Sequence, residues 1–405
     1  MHTKNIFKKN HIQKNNLINF YSKLASKNFL KIIKRLNKDI FKDNKTINIL
    51  DKNFKFNFKV KDLKRFDKYK NIAVIGMGGS ILGLEAIELF LKKKIKKKIH
   101  FFDNIDIEKI IKFKKEQNFK KTLFLIISKS GDTIETLSNF FSLNVIKKNA
   151  KNIIIISERK NNSLFEISKK YNLFYVEHKS YVGGRYSVLS EVGILPSILM
   201  GIKINSLRQN LERYFKKKEK VFLKDSVLKM SNLLNNKKYK NIILLNYAPE
   251  LEKFLYWYQQ LVAESLGKNT KGFLPIVSSA PKDHHSLLQL YLDGPKDKLF
   301  YIFSSKINEK IKINAINFPK KTNFLNKKTL SKIKNAQKNS LIFTLKKYKI
   351  PFREFEIKKR DEATIGELFG YFITETILIG MTSKINPFDQ PAVEEVKVIT
   401  RKFLK

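Results

Sequence analysis

The sequence predicts an α/β protein with two doubly wound parallel sheets, flanked by helical N-terminal and C-terminal arms. From about residue 70, short apolar runs rich in isoleucine, leucine and valine alternate with longer helical patterns. Uninterrupted runs of this kind suit strands that are buried on both faces, as in a parallel sheet covered by helices. The alternation stops at a lysine-rich helical stretch near residues 200–235 and then restarts, so we expect two domains.

The first domain is expected over residues 61–205, after an N-terminal helical arm over 1–60. Its strands are predicted at "NIAVIG", "TLFLII", "NIIIIS" and "LFYVEH", and its helices at "SILGLEAIELFLKK", "DTIETLSNFFSLNVIKK" and "SLFEISKKY". The first two strands run directly into polar or glycine-rich turns that begin helices. Because ligands of open α/β sheets bind beyond the carboxyl ends of the strands, these turns are the natural place for a site.

The second domain is expected over residues 236–382, after a helical linker over 206–235. Its strands are predicted at "NIILLNYA", "GFLPIVSS", "KLFYIFSS" and residues 352–357. Its helices are predicted at "ELEKFLYWYQQLVAESLG", "DHHSLLQLYLDG" and residues 329–349 and 362–380. Residues 383–405 are expected to form a C-terminal arm that turns between two prolines and then becomes helical.

The chain is very basic, with a formal net charge of +46, but its cations are nine arginines and 73 lysines. Nucleic-acid-binding proteins usually concentrate their charge and favour arginine for forked phosphate and base contacts. Here the lysines are scattered, which favours a lysine-rich surface over a specific nucleic-acid site. The sequence contains no cysteine, no secretory signal pattern and no apolar run near the ~20 residues of a membrane span. We therefore expect a cytoplasmic protein without a membrane partner.

Two turns of the first domain predict an anion site. The turn "GMGGS" ends at Ser80 and brings glycine amides to a helix start, without the lysine of a P-loop or the acidic residue of a dinucleotide site. The turn "SKSGDT" places Ser128, Ser130 and Thr133 at a second helix start. One hydroxyl could simply cap that helix. Three hydroxyls with backbone amides suit the oxygens of a phosphate monoester.

Two further segments hold candidate charged groups. "YVGGRYSVLSEVG" carries Arg185, an arginine in a lysine-rich chain, which suggests a need for rigid, delocalised donors, although a surface ion pair is a common alternative. "QQLVAESLGK" places Gln260 and Glu264 four residues apart, on one helix face. Among apolar neighbours, that carboxylate could serve as a general base, or it could lie on the wet face of an amphipathic helix.

The last candidates lie in the second domain and the C-terminal arm. His284 and His285 are adjacent at a predicted helix start, so at most one of them is expected to face a site. Neither histidine fits a metal-ligand pattern such as H-E-x-x-H. Gln390, Glu394 and Lys397 would share one stripe if "FDQPAVEEVK" is helical.

Taken in order, these segments resemble the glucose-6-phosphate isomerase (phosphoglucose isomerase) family, over roughly residues 70–400. "GGRYSVLSEVG" matches one of that family's two sequence signatures, and "FDQPAVEEVK" is similar to the other. "GMGGS", "SKSGDTIET", "QQLVAESLGK" and "HSLLQLYLDG" fall at the expected places, and the length is similar to the shorter bacterial type. The resemblance implies two sugar-isomerase (SIS-type) domains. It also implies reversible isomerisation of D-glucose 6-phosphate to D-fructose 6-phosphate through a cis-enediol(ate), in glycolysis and gluconeogenesis, with no metal or organic cofactor.

The resemblance also implies how the substrate phosphate is bound. It would lie on Ser128, Ser130 and Thr133, with the Lys129 backbone and Ser80 close by. The same resemblance implies a homodimer whose active site lies at the interface between the subunits. The molecule bound in this site would be a phosphorylated hexose, and the histidine of the site, His285, would come from the neighbouring subunit.

For the chemical steps, the resemblance implies four catalytic residues. Glu264 would move a proton between C1 and C2, and Arg185 would stabilise the enediolate. His285, with Lys397, would assist opening of the sugar ring. The sugar site would be lined by Gly79, Gln260 and Gln390.

Three residues depart from the family pattern. Leu266 stands where Asn is common, Ala392 where Gly is usual and His284 where Gln is usual; each lies beside a functional position. Three alternative functions stay open from the sequence. They are a bifunctional phosphoglucose/phosphomannose isomerase, a non-catalytic phosphosugar-binding regulator with the same fold, and a nucleic-acid-binding protein that uses the positive charge.

Overall fold

The structure, a computed structural model, describes residues 5–18, 23–306 and 311–404, apart from the side chain of Lys23. The strands are β1 (Ile6–His11), β2 (Asn71–Gly76), β3 (Lys98–Phe102), β4 (Thr122–Ile127), β5 (Ile153–Ser157), β6 (Phe174–Glu177), β7 (Asn241–Asn246), β8 (Leu274–Ser279), β9 (Lys298–Ser305) and β10 (Phe352–Ile357).

The α-helices of the described residues alternate with these strands. They are α1 (Lys23–Asp39), α2 (Val60–Leu63), α3 (Leu82–Leu91), α4 (Ile107–Glu116), α5 (Ile134–Leu143), α6 (Ser163–Lys170), α7 (Glu191–Leu199), α8 (Ile204–Arg208), α9 (Lys217–Asn236), α10 (Glu252–Leu266), α11 (Leu288–Leu292), α12 (Leu330–Lys347), α13 (Glu362–Thr382) and α14 (Glu394–Phe403). None of these helices is both long enough and apolar enough to cross a membrane.

The first sheet is fully parallel, in the order β3-β2-β4-β5-β6, which confirms the predicted fold class. Its central strands β4 and β5 are buried along their whole length, as expected for uninterrupted apolar runs with helices on both faces. Gly76 at the end of β2 pairs with Ile127 at the end of β4. The two predicted anion-binding turns therefore begin side by side at one edge of the sheet.

The second sheet has the order β1-β10-β9-β7-β8, in which β7 to β10 are parallel and β1 is antiparallel to β10. The prediction of a purely helical N-terminal arm is wrong in this respect, although α1 fits it. Ile6 pairs with Ile357, about 350 positions along the chain. The apolar signal of β1 is weak because its inward-facing positions carry the polar residues Lys8 and Asn10, which are half-buried, whereas the apolar Phe7 is exposed.

The predicted helix over residues 283–294 is much shorter in the structure, and this prediction is wrong for its first half. A 3₁₀ turn at Lys282–His284 precedes α11. The Asp283 carboxylate accepts hydrogen bonds from the Ser279 amide and the Ser278 hydroxyl, at 2.8 and 2.9 Å. These contacts hold residues 280–287 as a turn after β8. The Asp283 carboxylate bonds to residues that precede it in the chain, so it does not cap a helix that begins here.

Helix α10 lies between the two sheets and positions the site. It packs against α3 of the first domain and against α13 of the second. Helix α13 is buried from Glu362 to Gly380, so it forms the centre of the core. The domain boundaries themselves remain a prediction. The location of α10 is what brings side chains of the second half to the turns of the first sheet.

Candidate active site

Three hydroxyls of the turn after β4 lie together at the start of α5. The Ser128 and Thr133 oxygens are 2.8 Å apart, and the Ser130 oxygen is 3.4 Å from each of them. Thr133 occupies the N-cap position, but its side chain accepts no hydrogen bond from the helix amides. Helix capping therefore does not explain this hydroxyl. The local sequence brought the three predicted residues together, because they are only five positions apart.

The loop after β5 supports this turn from behind. Gly131 has a φ of +77°, and a Cβ at this position would lie 1.8 Å from the Asn162 Oδ1 atom. Only glycine fits such a close approach without displacing its neighbour. Asp132 accepts hydrogen bonds from the Ser163 amide and hydroxyl, at 2.8 and 2.7 Å. These supporting residues were not predicted from the sequence, and the adjacency of β4 and β5 is the signal that could have indicated them.

The side chain of Lys129 is directed to the same supporting layer. Its Nζ donates to the Ser180 carbonyl at 2.8 Å and lies 3.6 Å from the Glu158 carboxylate. Burial lowers the pKa of this amine, with a further contribution from the positive charges of Lys160 and Arg185. The amine is thus engaged in the structure of the loop, and the backbone of Lys129 is what borders the hydroxyls.

The glycine-rich turn after β2 packs against the segment that carries Arg185. A Cβ at Gly79 would lie 2.1 Å from the Gly184 carbonyl carbon, so the two backbones touch directly. The Ser187 hydroxyl donates to the Gly79 carbonyl at 3.1 Å. Ser80, the last residue of the turn, is buried. This packing places the start of α3 beside Arg185.

Arg185 is 1% exposed and makes five hydrogen bonds, which rules out a surface ion pair. Its Nη1 donates to Glu264 Oε2 at 3.2 Å and to Gln390 Oε1 at 2.6 Å. Its Nη2 donates to the carbonyls of Pro387 and Asp389 at 2.6 and 3.0 Å. The guanidinium therefore joins α10 to the C-terminal arm. A lysine could not reproduce this planar set of donors.

Glu264 and Gln260 meet on one face of α10, as their spacing predicts. Gln260 Nε2 donates to Glu264 Oε1 at 2.8 Å, while the other carboxylate oxygen faces Arg185. The Glu264 side chain is 27% exposed, so it is neither on a fully wet face nor sealed in the core. A fixed carboxylate that is open on one side can exchange protons with a bound molecule.

Two hydroxyls that sequence analysis missed orient the guanidinium. Arg185 Nε donates to Ser265 Oγ at 2.8 Å, and Ser265 Oγ lies 2.8 Å from the Tyr186 hydroxyl. The Tyr186 proton goes to the Pro387 carbonyl at 2.8 Å, so Ser265 donates to Tyr186. Burial raises the pKa of Tyr186 and keeps it a donor. Both residues follow a candidate residue directly in the sequence, which was the available signal.

The C-terminal arm differs in part from its prediction. Gln390 lies before the helical part of the arm, so it does not share a helix stripe with Glu394 and Lys397; that prediction is wrong for Gln390. Its side chain instead contacts Arg185. Lys397 lies on the exposed α14 and pairs with Glu394 at 2.7 Å. A catalytic role for Lys397 stays a prediction.

The two histidines have different surroundings. His284 is half-buried, and its Nε2 lies 2.7 Å from the Tyr247 hydroxyl oxygen. Burial lowers the pKa of this imidazole, with a contribution from His285. The His285 side chain is exposed and forms no hydrogen bond with any residue that the structure describes. Over the same residues, no group of carboxylates and histidines is arranged to hold a metal ion.

Comparison with known proteins supports one family. The phosphoglucose isomerase family profile matches residues 29–405. A probable glucose-6-phosphate isomerase from Methanococcus maripaludis is 34% identical over 90% of this chain and 83% of its own length. The glucose-6-phosphate isomerase of Campylobacter jejuni is 31% identical over 89% of this chain and 90% of its own.

Solved structures share the fold. A hypothetical protein from Thermus thermophilus has a TM-score of 0.81 at 23% identity, over 98% of this chain and 100% of that chain. A glucose-6-phosphate isomerase from Chlamydia trachomatis has a TM-score of 0.72 at 17% identity, over 96% and 80% of the two chains. With the profile match over nearly the whole chain and the identities above 30%, this protein belongs to the phosphoglucose isomerase family.

Proposed function

We propose that this protein catalyses the reversible isomerisation of D-glucose 6-phosphate and D-fructose 6-phosphate through a cis-enediolate. The observation that carries the proposal is the Glu264 carboxylate, held by Gln260 on one oxygen and by Arg185 on the other. Membership of the phosphoglucose isomerase family and the names of the relatives support the substrate pair. A carboxylate and a fixed cation in contact are what proton transfer beside a carbonyl requires.

The substrate phosphate binds at the hydroxyls of Ser128, Ser130 and Thr133. Hydroxyls and helix amides satisfy phosphate oxygens without the entropy cost of ordering long side chains. The Lys129 backbone and Ser80 lie at the same edge of the sheet. Binding energy from this remote group orients C1 and C2 of the sugar at Glu264.

Glu264 is the base that moves the proton. In the forward direction its carboxylate removes the proton from C2, and the electron pair of that C–H bond forms the C1=C2 double bond of the enediolate. The protonated Glu264 then returns the proton to C1, while the hydroxyl proton of C2 passes to the oxygen of C1. The same residue serves both steps because the carboxylate is regenerated at the end.

Arg185 stabilises the negative charge that develops on the sugar oxygens. A guanidinium stays protonated through the reaction, and its five hydrogen bonds hold it in place beforehand. Gln260 and Gln390 border the same space, with Gly79 at the packed turn behind it. A charge that is already oriented needs no reorganisation when the enediolate forms.

We further propose that the complete site needs two copies of the chain. Ring opening requires an acid near neutrality, for which histidine is suited, and the exposed His285 is accessible to a second subunit. Lys397 lies on α14, whose apolar residues Val396, Ile399 and Phe403 are also exposed. In this arrangement His285 of the partner subunit and Lys397 assist opening of the ring in each site.

The test of the reaction is a coupled assay that follows conversion of fructose 6-phosphate to glucose 6-phosphate. Glu264→Gln should lower kcat by about 10²–10⁴, the range expected for loss of a general base. Glu252→Gln is the matched control, because it changes the same residue type about 18 Å away at the other end of α10. Full activity of Glu264→Gln would overturn the mechanism, whereas a wild-type protein without isomerase activity would favour the phosphosugar-binding regulator.

The shared site is tested by mixing subunits. Glu264→Gln and His285→Ala are purified separately, mixed under mild denaturant and reassembled. Random hybrids contain one site with both wild-type residues, so up to about a quarter of wild-type activity should return. If each variant alone is inactive, no recovery in a mixture that contains hybrids would mean that His285 acts within its own chain, whereas an active His285→Ala protein would mean that His285 has no role. A parallel assay with mannose 6-phosphate tests the bifunctional alternative, because only a phosphoglucose/phosphomannose isomerase would convert that substrate as well.

A further inference from the structure

We propose that Arg401 is a further substrate-binding residue, whose guanidinium supplies positive charge to the phosphate on the Ser128–Thr133 turn. The ligand class is a phosphate monoester dianion. This inference rests on the proposed function, because it deepens the description of the same phosphate site. It adds a contact from α14 to a site that is otherwise built from the first sheet.

The turn itself provides hydroxyls and amides but no available ammonium group. Lys129 is its only basic residue. The Lys129 amine donates to the Ser180 carbonyl and lies beside Glu158, behind the turn. Burial also lowers the pKa of this amine. A dianion on the three hydroxyls would therefore lack a counter-charge from the turn that binds it.

Helix α14 brings a cation to this place from the C-terminal arm. Arg401, in the last turn of the helix, donates from Nη2 to the Asp132 carbonyl at 3.2 Å. Asp132 stands between Ser130 and Thr133, and its amide donates to the Ser130 hydroxyl at 3.3 Å. Consecutive Cα atoms are about 3.8 Å apart, so the guanidinium borders the hydroxyl cluster.

The chemistry of arginine fits this position. A guanidinium has five N–H donors, and Arg401 uses one of them on the Asp132 carbonyl in the described structure. The remaining donors suit phosphate oxygens in a forked arrangement. The hydrogen bond of Arg401 joins α14 to the Ser128–Thr133 turn. Binding of the dianion would therefore also hold the C-terminal arm, with Lys397, over the site.

The experiment compares Arg401→Ala with Lys402→Ala in the full-length protein. Lys402 is the matched control: it is exposed in the same helix turn, and its side chain forms no hydrogen bond or ion pair with the described residues. Both variants lose one positive charge, but only Arg401→Ala loses the contact. Arg401→Lys keeps the positive charge but removes the forked arrangement of N–H donors. Circular dichroism and melting temperature verify that each variant is folded.

Two readouts are used for each protein. The first is KM and kcat for fructose 6-phosphate. The second is the dissociation constant of inorganic phosphate, measured by calorimetry without any turnover. For Arg401→Ala we expect both KM and this constant to rise about five- to tenfold with kcat little changed, the size of one partly solvated charge-assisted hydrogen bond. Arg401→Lys should be intermediate, and Lys402→Ala should stay within about twofold, because its charge is screened by solvent.

Equal changes in Arg401→Ala and Lys402→Ala would overturn the proposal, since they would indicate a general field effect. The proposal would also be overturned if the dissociation constant of inorganic phosphate were unchanged in Arg401→Ala, or if this variant lost kcat alone. If the wild-type protein has no isomerase activity, the proposed function fails, while the phosphate measurement still tests Arg401. If the wild type is active and Arg401→Ala matches it in both readouts, only this inference fails.

Discussion

Two regions of the proposed site are built in opposite ways. One is the turn at residues 128–133, called here the phosphate turn, and the other is Arg185 with the groups that it contacts, called here the Arg185 cluster. The turn takes its three hydroxyls from residues 128–133, and its hydrogen bonds are neutral. The cluster takes an arginine from one segment, a carboxylate and an amide from α10, and acceptors from residues 387–390. In the proposed function, the turn binds the substrate phosphate reversibly, whereas the cluster holds a positive charge in a fixed position for the chemical step.

This difference has a physical reason. A released ligand needs moderate binding, which short hydroxyl side chains provide with little loss of conformational entropy. A developing oxyanion needs donors that are oriented before the reaction. Orientation of Arg185 requires five acceptors, and no short stretch of chain supplies that many. Changes to the cluster should therefore affect kcat and stability, and changes to the turn should affect KM.

After Glu264→Gln, the largest effect is expected from Arg185→Lys. A lysine cannot satisfy the same acceptors, so we expect kcat to fall by about 10²–10³. The unfolding free energy should also fall, by about 1–3 kcal/mol, because buried carbonyls lose their donor. Steady-state kinetics and urea titration measure the two effects. Arg159→Lys, an exposed change of the same type, should alter neither. Activity of Arg185→Lys within tenfold of wild type would contradict the role of the cluster.

The second prediction concerns His178, in the layer behind the phosphate turn. His178 is 1% exposed, and burial lowers its pKa from 6.5 to about 4. Between these values the unfolded chain binds the proton and the folded chain does not, so stability falls as the pH decreases from 6.5 towards 4. The loss attributable to this group is about 3 kcal/mol.

The measurement is the unfolding free energy at several pH values for wild type and His178→Gln. The variant should show a shallower decrease over this range, whatever its absolute stability. Other groups titrate in both proteins and cancel in the difference. Parallel curves would contradict the burial of a neutral His178 behind the turn.

A smaller effect is expected from Thr133→Val, which removes one hydroxyl of the turn at nearly constant shape. We expect KM for fructose 6-phosphate to rise about tenfold with kcat within about threefold, because one hydrogen bond to a charged group is lost. Ser142→Ala, an exposed change on the same helix, is the control. A loss confined to kcat would contradict the prediction that the turn serves substrate binding and the Arg185 cluster serves the chemical step.

The smallest effect is expected from Ser265→Ala. Loss of this oxygen frees one donor of Arg185, and we expect kcat to fall about fivefold at nearly constant KM. Tyr186→Phe should act in the same way, because both hydroxyls belong to one chain of hydrogen bonds. The double variant should therefore lose little more than either single variant, which a double-mutant cycle measures. Fully additive losses would mean that the two hydroxyls act independently.

The amino-acid sequence by itself determined the parts that depend on neighbours in the chain. Uninterrupted apolar runs identified β4, β5 and most other parallel strands, and the local sequence predicted the cluster of hydroxyls at residues 128–133. The spacing of Gln260 and Glu264 placed them on one helix face, where the structure has them in contact. In each case, the periodicity of a helix or strand is enough to relate the residues.

Only the tertiary structure decided which distant groups meet. The sequence does not show that Ser265 and Tyr186 orient Arg185, that β1 pairs with β10, or that Arg401 contacts Asp132. It also led to a helix stripe for Gln390, whose side chain instead turns to Arg185. These contacts join residues between 79 and about 350 positions apart. Local patterns carry no record of them, because they arise only when α10, the sheets and the C-terminal arm pack into one core.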